Sequence, residues 1–167
     1  MSIQTVGIIG SGTMGNGIAQ ACATSGIRVV MVDIAQAAID KGLATVSGSL
    51  DRLIKKEKMT AEGKAQAMAL IQGSTNYDDL KQAQLVIEAA TENEGLKVKI
   101  LQQLDGLLAP EVIVATNTSS ISITKLAAAT QRADRFIGMH FFNPVPMMAL
   151  VEIIRGLQTS DATHTTR

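Results

Sequence analysis

The sequence predicts an α/β protein with a doubly wound, mainly parallel sheet. Short apolar runs rich in β-branched residues alternate with segments of helical periodicity, and a glycine-rich turn follows the first run. The 167 residues are 46% apolar, which is enough to close one substantial core. Because no internal repeat, low-complexity tract or linker divides the chain, we predict one domain over residues 1–167.

Five runs have the composition of buried parallel strands, since each is short, apolar and β-branched and ends at a polar or glycine position. In chain order they are TVGIIG (5–10), IRVVMVD (27–33), AQLVIEAA (83–90), EVIVATN (111–117) and RFIGMHFF (135–142). Pro144 and Pro146 separate the fifth run from another β-type run. The chain is therefore predicted to double back there into a C-terminal antiparallel strand pair.

The helices are predicted from apolar residues that recur at three- and four-residue steps, which gives each helix one apolar stripe. The stripes are Met14, Ile18, Ala21 and Cys22; Ile39, Leu43, Val46, Leu50, Leu53 and Ile54; and Leu96, Ile100, Leu101, Leu104, Leu107 and Leu108. Between Lys41 and Met68 the chain is more charged and has no strand pattern. Residues 36–70 are therefore predicted to be a helical pair inserted after the second strand.

Composition gives no indication of several classes of partner. Fifteen basic and fifteen acidic side chains cancel, which gives no reason to expect nucleic acid or a membrane surface. Cys22 is the one cysteine, so an internal disulfide is impossible and a reducing compartment is favoured. The N-terminus does not resemble a signal peptide, and no apolar run approaches the roughly 20 residues that span a bilayer. We expect a cytoplasmic chain without a metal site.

The segment GSGTMG places Gly10, Gly12 and Gly15 in the spacing of a dinucleotide-binding turn. The first glycine permits a tight turn, the second lets the backbone approach a pyrophosphate, and the third lets helix and strand pack closely. Backbone N–H groups at the helix start then favour the phosphates. The predicted cofactor contacts are Gly10, Ser11, Gly12, Thr13, Met14 and Gly15. A purely structural glycine turn is the alternative.

Asp33 ends the second predicted strand, eighteen residues after Gly15. Its carboxylate can accept both hydroxyls of a ribose and would repel a 2′-phosphate, and no arginine follows it immediately. NAD is therefore the predicted cofactor of a Rossmann-type domain. FAD is bound through the same glycine pattern and is the less favoured alternative.

The segment GMHFFNPVPMMALVEII (138–154) is too apolar for a surface loop and too broken by proline for a helix. If its turn is centred near Pro146, His140 and Glu152 lie opposite one another on neighbouring strands. A carboxylate bonded to one imidazole nitrogen would leave the other free to accept an alcohol proton as hydride leaves for NAD. A buried histidine held by a structural glutamate is the alternative.

Four segments together resemble the NAD-binding domain of the 3-hydroxyacyl-CoA dehydrogenases, in particular the short bacterial 3-hydroxybutyryl-CoA dehydrogenases. They are GSGTMGNGIA (10–19), EAATEN (88–93), ATNTSSISIT (115–124) and the segment 138–154. HFFNPVP is far more specific than the glycines. The resemblance implies an NAD-dependent oxidoreductase of fatty acid and butanoate metabolism that interconverts (S)-3-hydroxyacyl-CoA and 3-oxoacyl-CoA.

The resemblance also implies catalytic roles for single residues. His140 matches the family's general base, and Glu152 matches the glutamate that orients it. Ser119 matches a serine that contacts both substrate and cofactor near the reacting carbon. Asn143 matches a residue near the nicotinamide. The alternatives are a helix-capping serine and a turn asparagine.

Further cofactor contacts are implied where the chain matches the family beside the third and fourth predicted strands. Ala89, Glu92 and a nearby lysine match residues that line the ribose and nicotinamide. Lys97 is the favoured lysine and Lys99 the alternative. Asn117 ends a strand, where ligands gather in open α/β sheets.

The inserted helical pair is implied to bind coenzyme A, because Ser49 and Lys56 match contact residues there. A solvated helix face is the alternative reading of its lysines. Family members continue for about one more domain, which closes the substrate cleft and forms a homodimer. We expect residues from about 155 to 167 to begin the connection to it, and the chain alone to be impaired in turnover.

Two other functions stay open. The chain could be a non-catalytic dinucleotide-binding module in which the histidine and glutamate are structural. It could also be a dehydrogenase of small 3-hydroxy acids, although that function does not explain HFFNPVP or the lysine-rich helix.

Overall fold

The structure is a computed structural model that describes residues 4–90, 94–117, 123–128, 130, 132, 135–141 and 151–155. Strands and helices alternate as the sequence predicts. The elements are β1 (Thr5–Ile9), α1 (Thr13–Thr24), β2 (Arg28–Val32), α2 (Gln36–Lys55), α3 (Ala61–Ala69), β3 (Ile71–Ser74), a 3₁₀ helix (Tyr77–Gln82), β4 (Leu85–Glu88), α4 (Glu94–Leu107), β5 (Ile113–Thr116), α5 (Ile123–Ala127), β6 (Phe136–Phe141) and β7 (Val151–Arg155).

The strands form one sheet in the order β3-β2-β1-β4-β5-β6-β7. Strands β1 to β6 are parallel, and β7 pairs antiparallel with β6. The strand order reverses between β1 and β4, so the carboxyl ends of these strands border the crevice in which α/β sheets bind ligands. The predicted doubly wound sheet, the helical pair α2 and α3, and the C-terminal antiparallel pair are confirmed.

Helices cover both faces of the sheet, which explains why β1, β4 and β5 are buried along their whole length. The core on one face includes Ile8, Met31 and Ile87 of the sheet with Ile18 of α1 and Val46 and Leu50 of α2. The core on the other face includes Ile9, Val30 and Val86 of the sheet with Leu101 and Leu104 of α4.

The sequence pattern misses β3. This strand reads IQGS, and Ile71 is its one β-branched apolar residue. It lies at the sheet edge, pairs with β2 alone and exposes Gln72. Runs of β-branched residues are typical of buried central strands, whereas a short edge strand can be polar and lack such a run.

The predicted stripe of α4 is wrong at its first position. Leu96 is 49% exposed, whereas Leu101 and Leu104 are buried. Within the described part of the chain, no helix has the length and hydropathy needed to cross a membrane. The same residues contain no group of three or more histidine, cysteine or acidic side chains that could hold a metal ion.

Candidate dinucleotide-binding site

The turn after β1 requires glycine at two positions. Gly10 has φ +106°, a conformation that L side chains rarely adopt. A Cβ atom there would also lie 2.8 Å from the Ala89 carbonyl oxygen and 2.9 Å from the Ala90 Cα. A Cβ atom at Gly15 would overlap the Gly10 carbonyl oxygen. The first glycine therefore makes the turn, and the third lets α1 pack against it.

Gly12 has a different role from Gly10 and Gly15, because its lack of a side chain leaves open space beside the turn. A Cβ atom at Gly12 would meet no other atom within 4 Å. Gly12 is the N-cap of α1, and no acidic residue occupies the first turn of this helix. Backbone N–H groups at the start of a helix carry partial positive charge and lack intrahelical partners, so they suit an anion.

Asp33 is tied to the glycine turn by two hydrogen bonds. Its Oδ2 accepts from the Ser11 N–H at 2.9 Å and from the Ser11 hydroxyl at 2.7 Å, and its Oδ1 accepts from the Ile34 N–H at 2.7 Å. Burial raises the pKa of Asp33, but these three hydrogen bonds outweigh burial and hold the pKa below its ordinary value. The carboxylate is thus charged and fixed in direction.

The glycine turn opens into a cleft of about 620 Å³ at the carboxyl edge of the sheet. Its lining comprises Gly10, Ser11, Gly12, Met14, Asn16, Asp33, Ala38, Lys41, Gly42, Thr45, Ala89, Ala90 and Asn117. The structure thus brings together most of the predicted cofactor contacts that it describes. The Thr13 side chain lies outside the described residues.

One wall of the cleft comes from α2 and is not predicted from the sequence. Ala38, Lys41 and Thr45 lie one helical turn apart on this wall. Gly42 brings the helix close to the glycine turn, because a Cβ atom there would lie 2.7 Å from the Ser11 carbonyl oxygen. A glycine inside an otherwise good helix is only a partial signal of such packing, because Gly48 of the same helix has no comparably close contact.

Lys97 does not lie in the cleft. Its side chain has no exposed surface, and its ammonium donates to the Glu88 carboxylate. A side chain without exposed surface cannot contact a bound dinucleotide, so this position argues against Lys97 as a cofactor contact. Lys99 is exposed and is the better candidate of the two. Lys97 is buried because it lies on the face of α4 that packs against the sheet.

His140 and Glu152 are direct partners in the register of β6 and β7. The β5–β6 register pairs Thr116 with Gly138, so His140 lies two residues further toward the carboxyl edge. This is the edge on which the cleft opens. The side chains of both residues, and all of Glu92, Ser119 and Asn143, lie outside the described residues.

Ser49 and Lys56 belong to the distal part of α2. Ser49 is partly buried within the helix, and Lys56 is its exposed C-cap residue. Neither residue lines the cleft, whose α2 wall ends at Thr45. If they bind a ligand, they contact a part of it that lies outside the dinucleotide cleft.

The family described as "3-hydroxyacyl-CoA dehydrogenase, NAD binding domain" matches residues 5–167. The chain belongs to this family. It is 52% identical over 161 residues to a 3-hydroxybutyryl-CoA dehydrogenase of Bradyrhizobium diazoefficiens, covering 96% of this chain and 55% of that protein. The crystal structure of (S)-3-hydroxybutyryl-CoA dehydrogenase from Ralstonia eutropha superposes with a TM-score of 0.97 at 73% identity, over 98% of this chain and 58% of that one.

A longer relative carries the same unit. The fatty acid oxidation complex subunit alpha of Acinetobacter baylyi is 40% identical over 159 residues, which cover 95% of this chain and 22% of that protein. The chain therefore spans about half the length of the 3-hydroxybutyryl-CoA dehydrogenases it matches, and less of the larger subunit.

NAD is the cofactor of the 3-hydroxyacyl-CoA dehydrogenase NAD-binding domain, and the residues present fit it. Open space at Gly12 beside the start of α1 suits a pyrophosphate. The Asp33 carboxylate lies at the end of β2, where it can accept ribose hydroxyls. Its negative charge would repel the 2′-phosphate of NADP. The predicted cofactor is therefore confirmed for the family to which this chain belongs.

Proposed function

We propose that the protein to which this chain belongs interconverts (S)-3-hydroxyacyl-CoA, with 3-hydroxybutyryl-CoA as the favoured substrate, and 3-oxoacyl-CoA. The observation that supports this function is the register of β6 and β7, which pairs His140 with Glu152 at the edge where the NAD cleft opens. Residues directly opposite on antiparallel strands have Cβ atoms about 4.5–5.5 Å apart, close enough for their side chains to interact.

In the proposed reaction His140 acts as general base. NAD, when bound, supplies the acceptor for the hydride that leaves carbon 3 of the substrate. His140 takes the proton of the 3-hydroxyl group, so that the carbon–oxygen bond becomes a carbonyl. Glu152 accepts a hydrogen bond from the other ring nitrogen, which fixes the tautomer and stabilises the imidazolium that forms.

The remaining family matches are proposed as contacts. Ser119 would donate to the substrate 3-oxygen as its charge develops. Asn143 and Glu92 would lie beside the nicotinamide and its ribose, with Lys99 in place of Lys97. A cytoplasmic location and a homodimer are also expected of the whole protein.

NADH oxidation by acetoacetyl-CoA, measured for the whole protein that contains this chain and for its His140→Ala and Glu152→Gln variants, tests this function. We expect His140→Ala to abolish turnover and Glu152→Gln to reduce it, while both variants retain the affinity of the parent protein for NADH. Full turnover by His140→Ala would contradict the proposal.

The second candidate is an NAD-binding module that does not turn over by itself. The observation that favours it is that, among the residues that the structure describes, the glycine turn, Asp33 and the α2 wall form the dinucleotide cleft without His140 or Glu152. The chain would then bind NADH and leave acetoacetyl-CoA unreduced. Oxidation near ten per second, a rate typical of enzymes, would exclude this candidate.

We also propose that Lys56 binds a phosphate of coenzyme A. Its exposed ammonium on a flexible stem suits a mobile nucleotide phosphate. In the whole protein, Lys56→Ala should raise the Kd for acetoacetyl-CoA up to about fivefold, as expected for one exposed charge pair, and leave the Kd for NADH unchanged. Lys58→Ala is the matched control, because Lys58 is exposed on the same segment. Equal effects of the two substitutions would mean a general charge effect.

A further inference from the structure

A fully buried polar cluster lies beneath the cleft and has no role in the function proposed so far. It consists of Glu88 at the end of β4, Lys97 of α4 and Thr116 at the end of β5, and each of the three residues is 0% exposed. Glu88 Oε1 accepts from the Lys97 ammonium and from the Thr116 hydroxyl, the latter at 2.9 Å. Desolvation makes a buried ion pair weak evidence of stabilisation, because apolar side chains of similar volume are often as stable. The contribution of the cluster is therefore sought in the parts of the chain that it holds in place.

The second oxygen of Glu88 connects the cluster to the glycine turn. Glu88 Oε2 accepts from the Ala90 N–H at 2.8 Å. Ala90 lines the cleft, and with Ala89 it forms the surface against which Gly10 packs so closely that a Cβ atom would be 2.9 Å from the Ala90 Cα. The direction of the Glu88 carboxylate therefore sets the position of the wall that supports the pyrophosphate turn.

The other side of the cluster reaches the cleft through β5. Thr116 is followed directly by Asn117, which lines the cleft and donates its N–H to the Glu88 carbonyl oxygen at 2.8 Å. Lys97 adds α4, so the Glu88 carboxylate joins two strand ends and a helix at one buried point. Of the three residues that line the cleft at these strand ends, Ala90 and Asn117 donate backbone N–H groups to Glu88, whereas Ala89 donates to the Ile9 carbonyl oxygen.

We propose that Glu88, held by Lys97 and Thr116, is a positioning residue for the NAD site. Its carboxylate fixes the 89–90 wall against the Gly10 turn and aligns the ends of β4 and β5. The proposal rests on the binding of NAD in this cleft. Loss of either partner would let the carboxylate turn, and the wall would no longer hold the glycine turn in the geometry that the dinucleotide needs.

The test measures the Kd for NADH by titration of the chain at a temperature well below its unfolding midpoint. Thr116→Val keeps the shape of the side chain and removes one hydrogen bond, and it should raise the Kd about tenfold, as small misplacements in preorganised sites do. Thr116→Ser restores a hydroxyl and should recover most of the affinity. Lys97→Met removes the ammonium and should raise the Kd at least as much as Thr116→Val.

Arg132→Met is the matched control. Arg132 is also buried and ion-paired, with its Nε 2.8 Å from Asp105 Oδ1, but it holds the carboxyl end of α4 and does not line the cleft. The Arg132→Met substitution should lower the unfolding midpoint and leave the Kd for NADH unchanged. If Arg132→Met weakens NADH binding as much as Thr116→Val, or if Thr116→Val binds like the parent chain, the proposal is wrong. Failure of the parent chain to bind NADH would overturn the NAD-binding function of the cleft itself. This outcome is therefore distinguishable from failure of the positioning role of Glu88 alone.

Discussion

At the scale of single residues, the three glycines of the first turn have separate tasks. Gly10 permits the backbone conformation, Gly15 permits the contact of α1 with the turn, and Gly12 keeps space free. The motif GSGTMG predicts all three tasks, because each follows from the spacing and the strand-to-helix context. Substitutions can separate these tasks, because the space kept free at Gly12 is not needed for the fold.

Gly12→Ala and Gly15→Ala should differ in their effects on stability. Gly12 has φ −69°, which alanine adopts without strain, and an added methyl group meets no atom of the chain. Gly12→Ala should therefore leave the thermal midpoint nearly unchanged and raise the Kd for NADH about tenfold or more, because the methyl group fills pyrophosphate space. Gly15→Ala should lower the free energy of unfolding by about 1–3 kcal/mol, because the added methyl group overpacks the contact between α1 and the turn. Calorimetry combined with NADH titration checks both, and equal destabilisation would contradict the distinction.

Ser11 and Asp33 give a residue-scale prediction of pH dependence. The hydrogen bonds of Ser11 help to lower the pKa of Asp33 below its ordinary value. A lowered pKa contributes stability above the unfolded-state pKa, and this contribution is lost as the pH falls through the folded-state pKa. Ser11→Ala should raise the pKa of Asp33 and move the acid unfolding midpoint, followed by circular dichroism, to higher pH. An unchanged acid midpoint would show that the Ser11 hydroxyl has no part in holding the charge.

At the scale of elements, α2 both packs on the sheet and forms a wall of the cleft. Ile39, Val46 and Leu50 are buried, as the predicted apolar stripe requires, while Lys41 and Thr45 line the cleft. The sequence predicts the packing face because apolar residues at helical spacing lie on the side of the helix that faces the core. It does not predict the cleft wall, because a ligand-facing helix surface has the same mixed polarity as a solvated one.

Two glycines of α2 provide a matched pair for testing this role. A Cβ atom at Gly42 would lie 2.7 Å from the Ser11 carbonyl oxygen, whereas the nearest atom to one at Gly48 would be the Arg52 Nη1 at 3.9 Å. Gly42→Ala should push the helix from the glycine turn and lower both stability and NADH affinity. Gly48→Ala should stabilise the chain by about 0.5–1 kcal/mol and leave NADH binding unchanged. Similar affinities for the two variants would exclude α2 as a support of the turn.

Among the elements, β3 and α4 mark the limits of sequence pattern. The strand β3 carries one β-branched apolar residue and is stabilised by pairing with β2, which no local window shows. On α4 the family resemblance implies Lys97 as a cofactor contact, with Lys99 as the alternative, and the structure buries Lys97 against Glu88. A lysine is normally exposed, so a buried one is recognised only when its partner carboxylate is located in space.

At the scale of the whole molecule, the doubly wound class of the sheet and the β6–β7 register are the predictions that succeed best. The doubly wound sheet follows from alternating strands and helices, and the His140–Glu152 register follows from a turn centred near Pro146. The buried Glu88–Lys97–Thr116 cluster does not follow from any local pattern. Its members are separated by up to 28 positions in the sequence and meet only when β4, α4 and β5 have assembled.

The single cysteine reports on the folding of the whole molecule. Burial raises the pKa of the Cys22 thiol from 9.0 to about 11, so the reactive thiolate is scarce at pH 8. The folded chain should react with iodoacetamide about a hundredfold more slowly than the unfolded chain, as two pKa units imply. The modification rate against urea concentration should therefore follow the global unfolding transition seen by circular dichroism. Rapid modification without urea would mean that α1 opens locally.

The pair of hydrogen bonds from Ser11 to Asp33 has a consequence for changing coenzyme preference. The residue that would discriminate against a phosphorylated ribose also anchors the turn that receives the pyrophosphate. Replacing Asp33 to admit NADP removes the acceptor of both Ser11 bonds, and the turn loses its tether together with the repelling charge. Redesign of this pocket for NADP therefore has to treat positions 11 and 33 as one unit and introduce a new acceptor for the serine in the same step as the new cation.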